Sequence, residues 1–343
     1  MKKSSIILFL ILAAKICFAQ IDNVQTITKT GTAAAQFLKI GVDARASAMG
    51  GAFSAMRGAL ASMHWNPAGL AYIPSMEAMF THQEWLADIN FDYFAFAFHI
   101  NGFGTLGASI TSLTVPQEVV RTVEQPDGTG ELFDAGDIAI NLSFSKQLTD
   151  RFAIGGNAKF IRQNIWHSSA NAVAFDIGAI FTTPFRNIRL GASITNFGSD
   201  MKMNGRDLKF SEDPDPNNEG NVEFVNALLE TDSFPLPLLF RVGIAGELIQ
   251  TGNTKLTFGI DALEPNDNTS SLNGGVELSF NETLFLRGGY ATLFRDDTEE
   301  GITFGAGLQY RPWGNSSKLS IDYAYGDFGL LDNVQRFSIA ISF

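Results

Sequence analysis

From about residue 75 to the end of the chain, bulky and small side chains alternate with a period of two. Phe94-Ala95-Phe96-Ala97-Phe98 shows the pattern plainly. Leu106, Ala108 and Ile110 alternate with Gly107, Ser109 and Thr111, and Ile138, Ile140, Leu142 and Phe144 alternate with Ala139, Asn141, Ser143 and Ser145. A period of two predicts strands. It recurs at 152–160, 173–181, 188–194, 238–244, 256–260, 272–280, 284–290, 302–310, 319–325 and 337–343, and more weakly at 76–80, which makes about fourteen strands. One face of these strands is Phe, Leu, Ile and Tyr. The other is Gly, Ala, Ser and Asn with isolated charges: Lys159, Asp176, Arg241, Asp261, Glu277, Arg287 and Asp322. A soluble sandwich alternates too, with its bulky face inward, so the pattern alone does not say which face is inside.

The connections decide. Short ones are expected at 100–103, 147–151, 183–187, 249–253, 281–283 and 312–317; longer ones fall between them at 83–90, 114–135, 164–170, 198–235, 262–271, 292–301 and 326–334. Short turns at one end and long loops at the other are the signature of an outer-membrane β-barrel. The expected fold is therefore an all-β membrane protein, an antiparallel barrel of about fourteen strands over 75–343, with its small and charged face turned into the lumen. Closure satisfies every backbone donor and acceptor in lipid, which an open sheet does not. An even strand number puts both ends of the barrel on the short-turn, periplasmic side, and the chain ends in an alternating strand with a terminal Phe343.

One stretch breaks the period. Over residues 41–70, Ala46, Met49, Phe53, Met56 and Leu60 recur at helical spacing, Asp43 is placed as an N-cap, and Asn66-Pro67-Ala68-Gly69 is a stop signal. Gly50 and Gly51 each cost a helix about 1 kcal/mol, so a kinked helix or two short ones are expected. A lone Ala/Gly-rich helical piece before a closing sheet suggests a plug within 20–74, on the periplasmic side of the barrel, with Arg45, Gly50, Gly51, Asn66, Pro67 and Gly69 as its defining residues.

Composition fits this picture. Charged residues are 17% of the 343, and there are 33 Gly and 30 Phe, whereas an ordinary soluble domain carries about 25% charge. Lys2 and Lys3, the apolar run 6–14 and Cys17-Phe18-Ala19 read as a signal peptide over 1–19, cleaved after Ala19. The apolar run is too short to cross about 30 Å of hydrocarbon as a helix. Cleavage would remove the single cysteine and take the net charge from −12 to −15. Such acidity argues against nucleic acid as a partner. Most of it lies in the loops 114–135 and 198–235.

Motifs for chemistry are sparse. His64, His82, His99 and His167 stand at no metal-ligand spacing, and no nucleophile elbow, zinc-protease or phosphate-loop motif occurs. Small barrels can be lipid-modifying enzymes with a Ser/His pair on the wall, for which His99 and His167 are the candidates; the chain is read as no enzyme, with no cofactor and no metal. The acidic run 211–219 raises the question of calcium, which takes several carboxylate oxygens. Its spacing fits no EF-hand and two prolines interrupt it, so it reads as solvated loop.

Phe37-Leu38-Lys39-Ile40-Gly41-Val42-Asp43-Ala44-Arg45-Ala46, then Met49-Gly50-Gly51-Ala52-Phe53, then Trp65-Asn66-Pro67-Ala68-Gly69-Leu70 resembles the N-terminal signature of the PorV/PorQ family. Gly191-Ala192-Ser193-Ile194-Thr195-Asn196-Phe197-Gly198 resembles a strand-end motif of the same family. Its members are outer-membrane barrels associated with the type IX secretion system. They are similar in turn to the FadL transporters of hydrophobic compounds, which have fourteen strands, an N-terminal hatch and an Asn-Pro-Ala-Gly segment. The resemblance implies a role in bringing secreted proteins to the cell surface, with secretion-system proteins and the C-terminal signal domains of cargo as partners alongside outer-membrane lipids. It also implies recognition of Phe343 by the barrel-assembly machinery. It brings no catalytic residues. The alternative is a FadL-like transporter of long-chain fatty acids or another hydrophobic ligand, with Phe53, Met63 and Trp65 as the apolar residues near the hatch. A structural barrel of neither kind is the third reading.

Overall fold

Strands whose bulky side chains all lie on one face need an apolar medium on that face, and the barrel supplies it by turning them outward. The computed structural model describes residues 29–215, 224–295, 298–311 and 317–343; the expected signal peptide lies outside the described residues. Fourteen antiparallel strands form the wall: β1 Met76–Glu84, β2 Asn90–Ile100, β3 Gly104–Val119, β4 Leu132–Thr149, β5 Phe152–Ile165, β6 Ser168–Thr182 and β7 Arg189–Gly198 in the first half. The second half comprises β8 Leu239–Thr251, β9 Thr254–Pro265, β10 Ser271–Phe280, β11 Leu284–Leu293, β12 Ile302–Tyr310, β13 Lys318–Asp327 and β14 Asn333–Ser342. Each pairs with its neighbour in sequence, and β1 pairs with β14 from Glu77↔Ser342 to Glu84↔Gln335, which closes the sheet. Among the described strands of the wall, no sheet edge is left facing lipid.

Phe80, Phe94, Ile110, Ile140, Phe160, Ile260, Leu286, Phe304 and Ile339 are exposed on the outer wall, while Ala95, Ala97, Ser109, Asn141, Asn157 and Ser279 are buried inside. The chain is therefore inverted relative to a soluble sandwich: small and polar residues fill the interior, and large apolar ones meet the membrane. A closed barrel of this kind resists detergent. Unheated purified protein is expected to run faster than boiled protein on a denaturing gel; identical mobility would contradict closure.

Several expectations about connections need correcting: the loops expected at 114–135 and 262–271 contract to 120–131 and 266–270, and the turn expected at 249–253 to 252–253. The loop expected at 164–170 is a two-residue turn at Trp166 and His167, because β5 runs to Ile165 and β6 starts at Ser168, with Trp166 in the left-handed region (φ 50°). The loop expected at 83–90 shrinks to 85–89 for the same reason. Strands β3 to β6 are 16, 18, 14 and 15 residues long, against the 9–11 residues that cross a bilayer. Residues read as loop are thus partly strand projecting beyond the membrane on the long-loop side. The large 199–238 connection contains a small hairpin, Lys209–Glu212 with Val225–Leu228. Residues 216–219 of the acidic run lie outside the described residues.

The plug differs from expectation more. The only α-helical pieces among its described residues are α1 Ala44–Ala48 and α2 Ser62–Trp65, with 3-10 turns at Gln36–Lys39 and Pro67–Tyr72. Asp43 caps α1 by accepting from Ala46 N. Gly50, Gly51 and Gly58 then take φ of 65°, 75° and 72°, which a right-handed helix cannot contain, so Met49, Phe53, Met56 and Leu60 share no helix face. Asn66 ends α2 as expected, but it also starts the next turn, its side chain accepting from Ala68 N.

The plug is not confined to the periplasmic side either. At its outer end Ala34 N donates to Pro235 O, Ala35 N donates to Gln163 Oε1, and Lys39 meets Asp267 beyond the end of β9. The chain then descends through the lumen and reaches the short-turn end at residues 57–73, where it enters β1.

The plug and the lumen charges that hold it

The plug backbone approaches the wall closely because the wall offers glycines where it passes. Gly259, Gly275 and Gly289 face one another across β9, β10 and β11, and a Cβ on any of them would strike the backbone of Met49, Gly50 or Ala52. Gly191 similarly abuts Ser54, and Gly155 abuts Pro67. Small hydroxyl and amide side chains take up the plug's unpaired backbone groups. Thr303 Oγ1 accepts from Gly50 N and donates to Ala48 O, Ser338 Oγ accepts from Ala44 N, Ser193 Oγ donates to Trp65 O, and Asn157 Nδ2 donates to Met63 O. An irregular segment without its own ladder needs these partners, since a buried unpaired backbone group costs as much as a lost hydrogen bond.

Six of the seven lumen charges expected from the sequence fall into three groups. In the first, Glu277 on β10 receives Arg45 of the plug through two bonds of 2.7 Å, and Arg287 on β11 through a third of 2.7 Å; Arg287 also donates to Asp322 on β13 at 2.5 Å. In the second, Asp261 on β9 accepts Phe53 N at 2.9 Å, Ser54 N at 2.8 Å and Ser54 Oγ at 2.8 Å. The third joins Asp176 on β6 to Lys159 on β5 (2.7 Å), Asn157 Nδ2 (2.6 Å) and the backbone N of Asn196 (2.8 Å). Asn196 sits at a bulge between β6 and β7 with φ 63°, and its side chain accepts from Lys159 and donates to Pro237 O. Arg241, on β8, joins none of these groups.

The residues picked out by motif fall as follows. Arg45 meets Glu277 and stands over the Phe53 ring at 5.6 Å. Gly50 and Gly51 make the turn after α1. Asn66 Nδ2 donates to Ser54 O at 2.7 Å and Ala179 O at 3.0 Å, clamping the plug to itself and to β6. Pro67 rests on Gly155, and Gly69 leaves room for Ser62. Phe343 is exposed at the short-turn end, its N–H donating to Met76 O at 2.9 Å. Missed at the sequence level were the wall glycines, Thr303, Ser338 and Asn157. Their signal was present in part: each occupies an inward position of a strand, and glycine in a strand interior marks a close backbone approach.

Spaces flank the plug at both ends. On the short-turn side a funnel of about 280 Å³ is lined by Asp43, Arg45, Leu60, Glu277 and Arg287. On the long-loop side a smaller cavity of about 100 Å³ reaches Gly50, Gly51, His64, Trp65 and Arg241. Phe53, Met63 and Trp65 are buried in the core, with Phe53 and Trp65 ring centroids 5.6 Å apart. Burial pushes the His64 imidazole, in the plug, well below its ordinary range, helped by the positive charges of Arg241 and Lys159. Burial raises the Asp267 carboxyl, but hydrogen bonds from Lys39 and Gln36 outweigh it and hold it below its ordinary value.

His99 meets Thr105 Oγ1 and His167 meets Asp207. Among the described residues, no three His, Cys, Asp or Glu side chains are grouped to hold a metal, and no helix is long and apolar enough to cross a membrane.

Residues 22–205 match the family described as type IX secretion system protein PorV. Solved structures share the fold. A FadL homologue from Pseudomonas aeruginosa has 12% identity and a TM-score of 0.52 over 88% of this chain and 98% of that one. The toluene transporter TbuX from Ralstonia pickettii has 12% identity and a TM-score of 0.54 over 88% and 97%. The monoaromatic hydrocarbon channel CymD has 12% identity and a TM-score of 0.55 over 88% and 98%. At these identities the likeness is one of fold. No curated protein matches the chain in sequence.

Proposed function

The chain belongs to the family of the type IX secretion system protein PorV, and from that premise we propose that it is an outer-membrane accessory of type IX secretion that binds cargo or translocon proteins through its outward loops and rim. The supporting observation is the filled lumen. Plug backbone lies directly on wall glycines, the Arg45–Glu277–Arg287–Asp322 chain pins it from the side, and the cavity above it is about 100 Å³. Pockets that enclose drug-sized ligands run to about 300–1,000 Å³. A barrel so occupied offers partners its surface rather than its bore. The surface available outside the membrane is the 199–238 connection and the projecting ends of β3 to β6. The export signal over 1–19 and recognition of Phe343 during assembly belong to the same reading.

The second reading, a FadL-like transporter of a hydrophobic ligand, draws on the fold shared with proteins described as toluene transporter and hydrocarbon channel and on the short-turn-side funnel that leads to the plug. It requires the plug to move. One comparison separates the two. In a strain lacking the gene, proteins bearing type IX signal domains are expected to disappear from the surface and medium, while uptake of long-chain fatty acid or toluene stays at the parental level. Normal secretion with lost uptake would replace the first reading by the second.

A further inference from the structure

In a chain with a net charge of −12, a buried cation without a carboxylate partner is an anomaly. Arg241 on β8 is one. It is 5% exposed, its guanidinium makes no hydrogen bond or ion pair among the described residues, and its Nε is wholly buried without a partner. The acids whose charge it feels are Asp261 and Asp176. Both are already taken: Asp261 by Phe53 N, Ser54 N and Ser54 Oγ, and Asp176 by Lys159, Asn157 and Asn196. Leaving a buried guanidinium without an ion partner is costly, and a buried polar group without a partner calls for one.

Arg241 lines the cavity on the long-loop side of the plug. Two neighbours in that lining bear on what it takes. His64 Nε2 is also buried without a partner, and the Trp65 indole contributes an apolar wall. The other cations there are accounted for: Lys39 pairs with Asp267, while Arg336 donates to Gln83 and stands over the Trp85 ring at 5.7 Å. Outward, the cavity is bounded by Asp327 at the end of β13 and by Glu300 and Phe328 of the long-loop connections. A ligand would therefore arrive from outside and pass an acidic mouth.

We infer that this cavity is a binding site for a single carboxylate, with Arg241 as its anion-binding residue and the Trp65 face against the carbon body that carries it. A planar guanidinium fork matches a carboxylate bidentately. Of the cations in the lining, Arg241 alone has neither a hydrogen-bond nor a ring partner among the described residues, which suits one negative charge, and about 100 Å³ admits a carboxylate on a small body of at most one ring. The carboxylate could be that of a free small acid or the end of a polypeptide chain. The site goes beyond the secretion role and does not depend on it, because binding is read on the purified protein and a failed secretome comparison leaves it untouched.

Isothermal titration of the full-length protein in detergent tests it, with benzoate as the probe and benzamide as its uncharged counterpart. Benzoate is expected to bind saturably and benzamide at least tenfold more weakly. Arg241→Met should weaken benzoate at least tenfold, and Arg241→Lys should fall between, since an ammonium keeps the charge and loses the fork. Heat-modifiable gel mobility shows whether each variant is folded, and the benzoate–benzamide comparison on the unmodified protein stands without them. A pentapeptide with a free C-terminal carboxylate and its amidated twin separate the sources. Binding of the free acid but not the amide assigns a chain end, whereas benzoate binding with both peptides silent assigns a small acid; each supports the site. No saturable binding of any carboxylate, benzamide binding as tightly as benzoate, or undiminished binding by folded Arg241→Met overturns it.

Discussion

Glu277→Gln is expected to unseat the plug. Its carboxylate accepts three bonds of 2.7 Å, two from Arg45 and one from Arg287, and the side chain is 5% exposed. The amide keeps the shape but presents one oxygen and one NH2 group, which points its own donors at two guanidiniums. Arg287 retains Asp322 and Arg45 is left without a carboxylate. Removing one partner of a buried ion pair costs about 3–5 kcal/mol. The expected results are a clear drop in thermal unfolding temperature and a rise in small-solute leak through proteoliposomes. The double variant Arg45→Met with Glu277→Gln should recover part of the stability, because the stranded charge is gone and Arg287 still has Asp322. Stability and leak equal to the unmodified protein would mean that this chain of charges does not hold the plug.

The second large effect comes from glycine. A Cβ at Gly50 would lie 2.5 Å from the carbonyl oxygen of Tyr290, and the residue has φ 65°. At Gly155 a Cβ would lie 2.5 Å from the backbone carbon of Pro67. Neither obstacle is a side chain able to swing away. Gly50→Val incurs about 1–2 kcal/mol for the left-handed backbone and about 1–3 kcal/mol for overpacking; Gly155→Val incurs the second alone. Gly51 also has positive φ (75°), but its nearest neighbour is the Asn273 side chain at 3.1 Å, so Gly51→Ala should be milder. Gly274 has nothing within 4 Å and no positive φ, which makes Gly274→Ala the neutral control. Leak and assembly yield are expected to worsen from Gly274→Ala through Gly51→Ala to Gly50→Val. Should Gly50→Val and Gly274→Ala behave alike, the plug does not sit against β11 as described.

Much of the barrel was legible in the chain because a strand's period is two. Phe94, Phe96 and Phe98 against Ala95 and Ala97 announce a strand with two unlike faces, and the last residues with their terminal Phe343 fit the closing strand β14. The loop boundaries were less legible. Trp166 and His167 sit in polar surroundings that read as loop, yet the strands on either side continue past the membrane, where water satisfies both faces and the apolar signal fades. The plug misled in another way. Its helical spacing is real in the sequence, but burial on all sides makes Met49, Phe53 and Leu60 apolar whatever the backbone does, so periodicity stops reporting helix.

Local order along one chain therefore determined the strands, their count and the family signature, since each depends on neighbours a few residues apart, and the succession of short and long connections determined the outward face. Only the tertiary structure decided which inward charge meets which. Glu277 and Arg45 are 232 residues apart, and Ser54 and Asp261 are 207 apart. Their meeting depends on the path of an irregular segment across eight or more strands, and no spacing rule encodes that path. Arg241 looked like the other lumen charges in the sequence. It stands out only after every nearby carboxylate has been assigned to another partner, because pairing is a property of the whole lumen and not of the residue.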